Sequence, residues 1–282
     1  MASSQLSIHT VGLVYNARVE KALPMASEIA EWLRDHHREA WICAVAEHPK
    51  VCKSADLLIT LGGDGSILRA MQQSAPSGVP VLGINLGRVG FLTETQPDAW
   101  KATLQRVLDG EGSLEERSML SVRLLREGQR LAEEQALNDA VVSRGALART
   151  VRLTTRIDGA LLTRYVTDAL ILATATGSTA YAYALGGPIL PPWLDNMLMV
   201  PAAPHLSLER PLVLDADAVV EVEVHTDIPG MLSVDGRMEG ELLDGDLVRI
   251  ERSHLKGRFL RLRSRGDFYR SLVARLIPRN GD

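Results

Sequence analysis

The chain predicts an α/β protein, with a parallel-sheet domain first and a mainly β domain of two packed sheets after it. Three observations carry that expectation. Up to Gly110, short apolar runs alternate with amphipathic stretches, the rhythm of strands and helices laid against both faces of a parallel sheet. After about Glu116 the apolar segments become short and strand-like. Asp-Gly pairs, which suit tight turns, then punctuate them at Asp158-Gly159, Asp235-Gly236 and Asp244-Gly245.

Taken in order, Ile8 to Tyr15 reads as a strand and Val19 to Arg38 as a helix, with Met25, Ile29, Trp32 and Leu33 at helical spacing. Trp41 to Ala46 and Leu57 to Leu61 are the next two strands. Ser66 is placed to cap a helix running through Met71, whose apolar stripe is Ile67, Leu68 and Met71. Pro80 to Ile84 is a fourth strand, and Pro97 opens a helix reaching about Leu108. Beyond Glu116, Met119 to Leu125, Thr150 to Ile157, Leu161 to Val166 and Ala169 to Ala173 read as strands. Val220, Val222 and Val224 alternate with acidic residues, which gives one buried face and one wet face. A short helix near Ser178 to Leu185 and a closing one near Phe268 to Leu276 interrupt the β pattern. No repeat or low-complexity tract separates the halves, so they are expected to pack closely.

Composition narrows the function. At 282 residues, with 46% hydrophobic and 23% charged residues, the chain has the make-up of a soluble protein with a sizeable core. A net charge of −4 gives no general reason to expect nucleic acid or an anionic membrane as a partner. Cys43 and Cys52 are too few for a disulfide framework and lack metal-ligand spacing. With no signal-peptide pattern and no apolar run near the roughly 20 residues that cross a bilayer, the expected compartment is the cytoplasm.

Four segments carry chemistry. In Leu61-Gly62-Gly63-Asp64-Gly65-Ser66, a strand runs into three glycines around one carboxylate. Such a turn lets amides approach a phosphate closely, and a carboxylate among them suits handling a proton or a metal ion. The loop lacks the lysine and spacing of a P-loop. A second glycine loop, Gly83 to Thr93, contains Phe91, whose ring serves either core packing or stacking on a base. Asn138-Asp139 lies between apolar residues, where two polar side chains need partners such as ribose hydroxyls, or else form a turn. In Asp168 to Tyr181 a buried strand meets hydroxyls, a glycine and a helix start, which suits phosphate or sugar oxygens. Capping by Ser178 is the plainer alternative there.

Together these segments resemble the NAD kinase family over most of the chain. The family's Gly-Gly-Asp-Gly signature matches Gly62 to Gly65, its Asn-Glu motif resembles Asn138-Asp139, and its Thr-Gly-Ser-Thr-Ala-Tyr block stands intact at Thr176 to Tyr181. Glu116 to Leu120, Gly186-Gly187-Pro188 and Arg210-Pro211-Leu212 are further landmarks. Ser66 stands for the family's usual Thr, Asp139 for Glu, Ala175 for Pro and Ala169 for Gly. The first motif is shared with diacylglycerol, sphingosine and 6-phosphofructo kinases, so it is less specific than the block ending at Tyr181.

The resemblance implies a Rossmann-like domain over residues 1–116, a β-sandwich NAD-binding domain over 117–266, and a tail, 267–282, returning to the first domain. It implies transfer of a phosphoryl group from ATP or polyphosphate to the adenosine ribose 2′-hydroxyl of NAD. Asp64 would accept or orient the hydroxyl proton. The Gly62, Gly63 and Gly65 amides and Ser66 would hold the donor phosphates, with Mg²⁺ bound through those phosphates. Asn138 and Asp139 would clamp ribose hydroxyls, Thr179, Ala180 and Tyr181 would line the adenosine side, Phe91 would contact base or ribose, and Gly65, Thr176 and Ala184 would be further NAD-binding residues. Asp168 would bond the nicotinamide carboxamide, in a neighbouring subunit of a homodimer or homotetramer, and Arg149 is a nearby basic contact. Two rivals are a lipid or sugar kinase sharing the first loop, and a non-catalytic NAD-binding regulator. Two features stay outside this reading. Arg261, Arg263 and Arg265, alternating with Leu260 and Leu262, are expected to form a solvated basic face, and His36-His37 to lie at the surface.

Overall fold

The computed structural model describes residues 7–45, 55–87, 90–145, 149–205 and 207–276. Ala46, Cys52, Arg88, Val89 and the last residues of the expected tail lie outside that set. The chain forms two compact units, one made of the residues up to Glu116 and those from Gly257 onward, the other running from Arg117 to Lys256. The return to the first unit thus starts at Gly257, inside a strand, where the sequence placed it at residue 267.

In the first unit the elements alternate as β1 (Thr10–Tyr15), α1 (Ala22–Asp35), β2 (Glu39–Ala44), β3 (Leu57–Gly62), α2 (Asp64–Ser74), β4 (Val81–Asn85) and α3 (Trp100–Leu108). The four strands are parallel in the order β2-β1-β3-β4. Every residue of β3 and β4 is buried, because a parallel sheet covered on both faces leaves no wet side. α1 packs Ala22, Ala26, Ile29, Ala30 and Leu33 inward, with Met25 and Trp32 at the margin of the same core. Strand order reverses between β1 and β3, and the crevice beyond the carboxyl ends at such a switch point is where open parallel sheets bind ligands. The loop Gly62–Ser66 begins there.

Three local expectations are corrected. α2 starts at Asp64, so Ser66 is not its cap but a buried residue of its first turn, with its hydroxyl packed against Gly62. α3 starts at Trp100 and not at Pro97, which lies in the preceding turn. In the basic alternation at the end of the chain Arg265 is exposed as expected, but Arg261 and Arg263 do not form a solvated face. Arg261 is buried and bonds Leu92 O and the carboxylates of Glu94 and Glu115, and Arg263 pairs with Glu94 as well. Glu94 Oε1 also accepts the backbone N–H groups of Leu262 and Arg263, at 3.0 and 3.1 Å.

The second unit is β-rich. β5 (Ser113–Arg126) and β6 (Gln129–Ala136) form a hairpin turned by Glu127 and Gly128, both at positive φ. After them come β7 (Asp139–Ser143), β8 (Val151–Ile157), β9 (Ala160–Thr167), β10 (Ala169–Thr174), the four-residue α4 (Tyr181–Ala184), β11 (Met197–Ala202), β12 (Leu212–Leu214), β13 (Val220–His225), β14 (Gly230–Val234), β15 (Arg237–Leu242) and β16 (Leu247–Arg261). α5 (Arg265–Leu276) then closes the first unit, where Phe259 of β16 pairs with Val81 in parallel.

Two sheets face each other in this unit. One has the order β12-β11-β10-β7-β14-β15, and the other pairs β13 with β8 and β16 and β8 with β9. Val220, Val222 and Val224 from one sheet pack with Leu170, Leu172, Met197 and Met199 from the other in a single core. The outer face of β10 is covered too, by Ala182, Leu185 and Leu190, so β10 is buried throughout. Asp158-Gly159 and Asp235-Gly236 turn their hairpins with both residues at positive φ, as two-residue loops require. Among the described residues, no helix is long and apolar enough to cross a membrane.

Candidate active site

Asp64 is the first residue of α2, where the helix N-terminus favours a negative charge. Its carboxylate is held by the second glycine loop. Oδ2 accepts the N–H of Phe91 at 2.8 Å and Oδ1 that of Leu92 at 3.1 Å. Gly90 makes this possible, because a Cβ there would overlap the carboxylate. Among the described residues, a Cβ on Gly63 or Gly65 would instead meet no atom within 4 Å. The backbone beside Asp64 therefore faces open space, reachable by a ligand. The second loop is braced by Asn85, whose Nδ2 donates to Gly87 O and whose Oδ1 accepts Gly87 N–H. Among the described residues no group of three or more His, Cys, Asp or Glu side chains is placed to hold a metal ion.

In the second unit, Asn138-Asp139 and the block after β10 are laced together. Thr174 Oγ1 donates to Leu137 O at 2.6 Å and accepts Gly177 N–H at 3.1 Å, while Thr174 N–H donates to Asn138 O at 2.9 Å. A Cβ on Gly177 would overlap the Asn138 carbonyl, so only glycine lets the two segments approach this closely. The carboxylate of Asp235 accepts the three successive amides of Leu137, Asn138 and Asp139. Asp139 is 6% exposed, and no side-chain bond ties its carboxylate among the described residues. Burial, and after it the charge of Asp235, push that carboxyl up to about 7.

The helix expected from Ser178 is a 3-10 turn, Gly177–Thr179, broken at Ala180 before α4. Ser178 caps neither piece; its hydroxyl donates to Ala175 O and accepts Leu190 N–H. Thr176 is buried with its hydroxyl unpartnered among the described residues, Thr179 donates to Thr176 O, and Tyr181 and Ala184 are exposed. Asp168 forms an ion pair with Arg144, 3.2 Å away, and the Arg149 carbonyl accepts from the Arg144 guanidinium. Ala169, where glycine was usual, is an ordinary ladder residue paired with Ser143 and Ala202. Asp235 and Arg144 escaped the sequence reading. The only signal for Asp235 was its turn, and Arg144 gave none.

A carboxylate at a helix start, beside open glycines at the switch point of a parallel sheet, defines a nucleotide-binding enzyme of the phosphate-handling kind. Comparison with known proteins identifies which. Residues 44–112 match the family model described as ATP-NAD kinase N-terminal domain, and residues 137–262 match ATP-NAD kinase C-terminal domain. An NAD kinase of Chloroflexus aurantiacus is 39% identical over 272 residues, covering 95% of this chain and 99% of the relative. One of Symbiobacterium thermophilum is 46% identical over 209 residues, 73% of this chain and 74% of the relative. Among solved structures, yeast NADH kinase complexed with NADH superposes with a TM-score of 0.82 at 25% identity, covering 98% of this chain and 89% of that one. The NAD kinase of Archaeoglobus fulgidus in complex with ATP gives 0.77 at 26% identity, covering 95% and 98%. The chain belongs to the NAD kinase family.

Proposed function

We propose that this enzyme phosphorylates the adenosine ribose 2′-hydroxyl of NAD, with ATP as donor, and that Asp64 is its catalytic base. The observation that carries the reading is the Asp64 carboxylate, oriented by two amides and flanked by glycines open to a ligand. The 2′-oxygen attacks the γ-phosphorus of ATP, a new P–O bond forms, and the β–γ bridging bond breaks with its electrons leaving on ADP. The hydroxyl proton goes to Asp64. The Gly62, Gly63 and Gly65 amides and Ser66 hold the donor phosphates, which arrive as the Mg²⁺ complex. Mg²⁺ is thus part of the substrate and offsets phosphate charge.

Asn138 and Asp139 clamp the ribose hydroxyls in this reading. Ionised Asp139 accepts from them, which replaces the partner its buried carboxylate lacks. Tyr181 offers an exposed ring to the adenine, beside Thr176, Thr179, Ala180 and Ala184, and Phe91 lies on the loop that bonds Asp64. Asp168 serves the nicotinamide carboxamide of a neighbouring subunit in a homodimer or homotetramer, with Arg144 as its local counter-charge. Light scattering of the purified chain tests that assembly.

Asp64→Asn is the sharpest test. It should keep NAD affinity while turnover falls by about 10²-fold or more, the range for loss of a general base. Wild-type turnover in that variant removes Asp64 from the mechanism. The same NADP assay, run with polyphosphate and with NADH, defines the donor and acceptor range and separates this reading from a lipid or sugar kinase.

A further inference from the structure

We propose that Asp235 is a positioning residue for dinucleotide binding: its carboxylate gathers the amides of residues 137–139 and thereby fixes how Asn138 and Asp139 present their side chains. The proposal rests on the reading of Asn138 and Asp139 as the ribose clamp. Asp235 Oδ2 accepts Leu137 N–H at 2.9 Å, and Oδ1 accepts Asn138 N–H at 2.8 Å and Asp139 N–H at 3.2 Å. In return the Asp235 N–H donates to Asp139 O at 2.9 Å. Both polymer directions of the clamp are therefore tied to one residue on the hairpin between β14 and β15.

The plainer role for Asp235 is its turn. It stands at φ 48° with Gly236 at φ 74°, and Asp-Gly is a favoured pair for such loops. The two roles separate on one substitution. Asn-Gly suits this turn at least as well as Asp-Gly. Asn, however, keeps a single acceptor oxygen, and its NH₂ would confront an amide donor where Asp235 now accepts. A turn residue tolerates Asn; a gatherer of three amides does not. Asp235 also supplies the charge that, after burial, acts on the Asp139 carboxyl, so its loss has a titration signature as well.

The test uses the full chain, with NAD binding followed by calorimetry and KM values by NADP formation. Asp235→Asn should weaken NAD binding by about tenfold, the scale of lost bonds to a charged acceptor, and leave the KM for ATP within about twofold. The midpoint of the pH dependence of NAD binding should move down, because the carboxyl of Asp139 loses its negative neighbour. Asp235→Gly, which also suits the turn, should behave alike and stands in if the Asn variant fails to fold. Wild-type NAD affinity with an unmoved pH midpoint in either folded variant overturns the proposal. Asn138→Ala distinguishes the two levels. If it leaves NAD affinity intact, the clamp reading falls and this proposal with it. If it weakens binding while Asp235→Asn does not, only the positioning role is lost.

Discussion

The Asp64 carboxylate occupies the space that a side chain on Gly90 would need. Its two oxygens accept the amides just beyond that glycine, those of Phe91 and Leu92. The carboxylate of one loop is thus seated by the loop after the neighbouring strand. A Cβ there would meet the Asp64 carboxylate before any other described atom. Gly90→Ala should act on Asp64 alone, with turnover falling about 10²-fold, as for loss of the base itself. Wild-type kcat in that variant would show that the seating is dispensable.

Asp139 sets a pH dependence of stability. An acid whose folded pKa lies above its unfolded value of about 4 holds its proton more tightly when folded. Its contribution favours folding below that value and is lost as pH rises to about 7. Asp139→Asn does not titrate, so its melting temperature relative to wild type should be higher at pH 8 than at pH 5 by several degrees. Equal differences at both pH values would remove the effect.

Glu94 holds the end of β16. Its side chain is 2% exposed and receives Arg261, Arg263 and two backbone amides. Glu94→Ala leaves buried Arg261 without its nearest counter-charge and should cost about 3–5 kcal/mol. Urea unfolding measures it, and a loss under 1 kcal/mol would contradict the assignment.

Tyr165 is fully buried and its hydroxyl has no partner among the described residues. Removing an unsatisfied polar atom from a core costs little and can stabilise. Tyr165→Phe should therefore unfold at the same urea concentration as wild type or a higher one. A clear drop would reveal a bond to that hydroxyl.

Much of the fold was legible where one physical signal dominated. Leu57 to Leu61 is an uninterrupted apolar run and became a fully buried strand, and the Asp-Gly pairs at 158 and 235 turned hairpins as their chemistry requires. β6 was missed because Gln129–Ala136 is charged and largely exposed. β16 was read only at its basic end, although buried Val248 and Ile250 alternate there with Arg249 and Glu251, which pair with Glu221 and Arg123 across strands. Arg261 looked wet because its partner, Glu94, lies far back in the chain. The site residues themselves carried their own motif signals. Their supports, Asp235, Gly90 and Arg144, act through contacts distant in sequence, which no local pattern encodes.

The tie between Asp64 and the Phe91 loop makes the two loops a single cassette. An insertion or deletion between Asn85 and Leu92 would alter the setting of the Asp64 carboxylate without touching it. Loop exchange between related kinases, whether to alter donor choice or to transplant the site onto another parallel-sheet scaffold, must therefore carry both loops together.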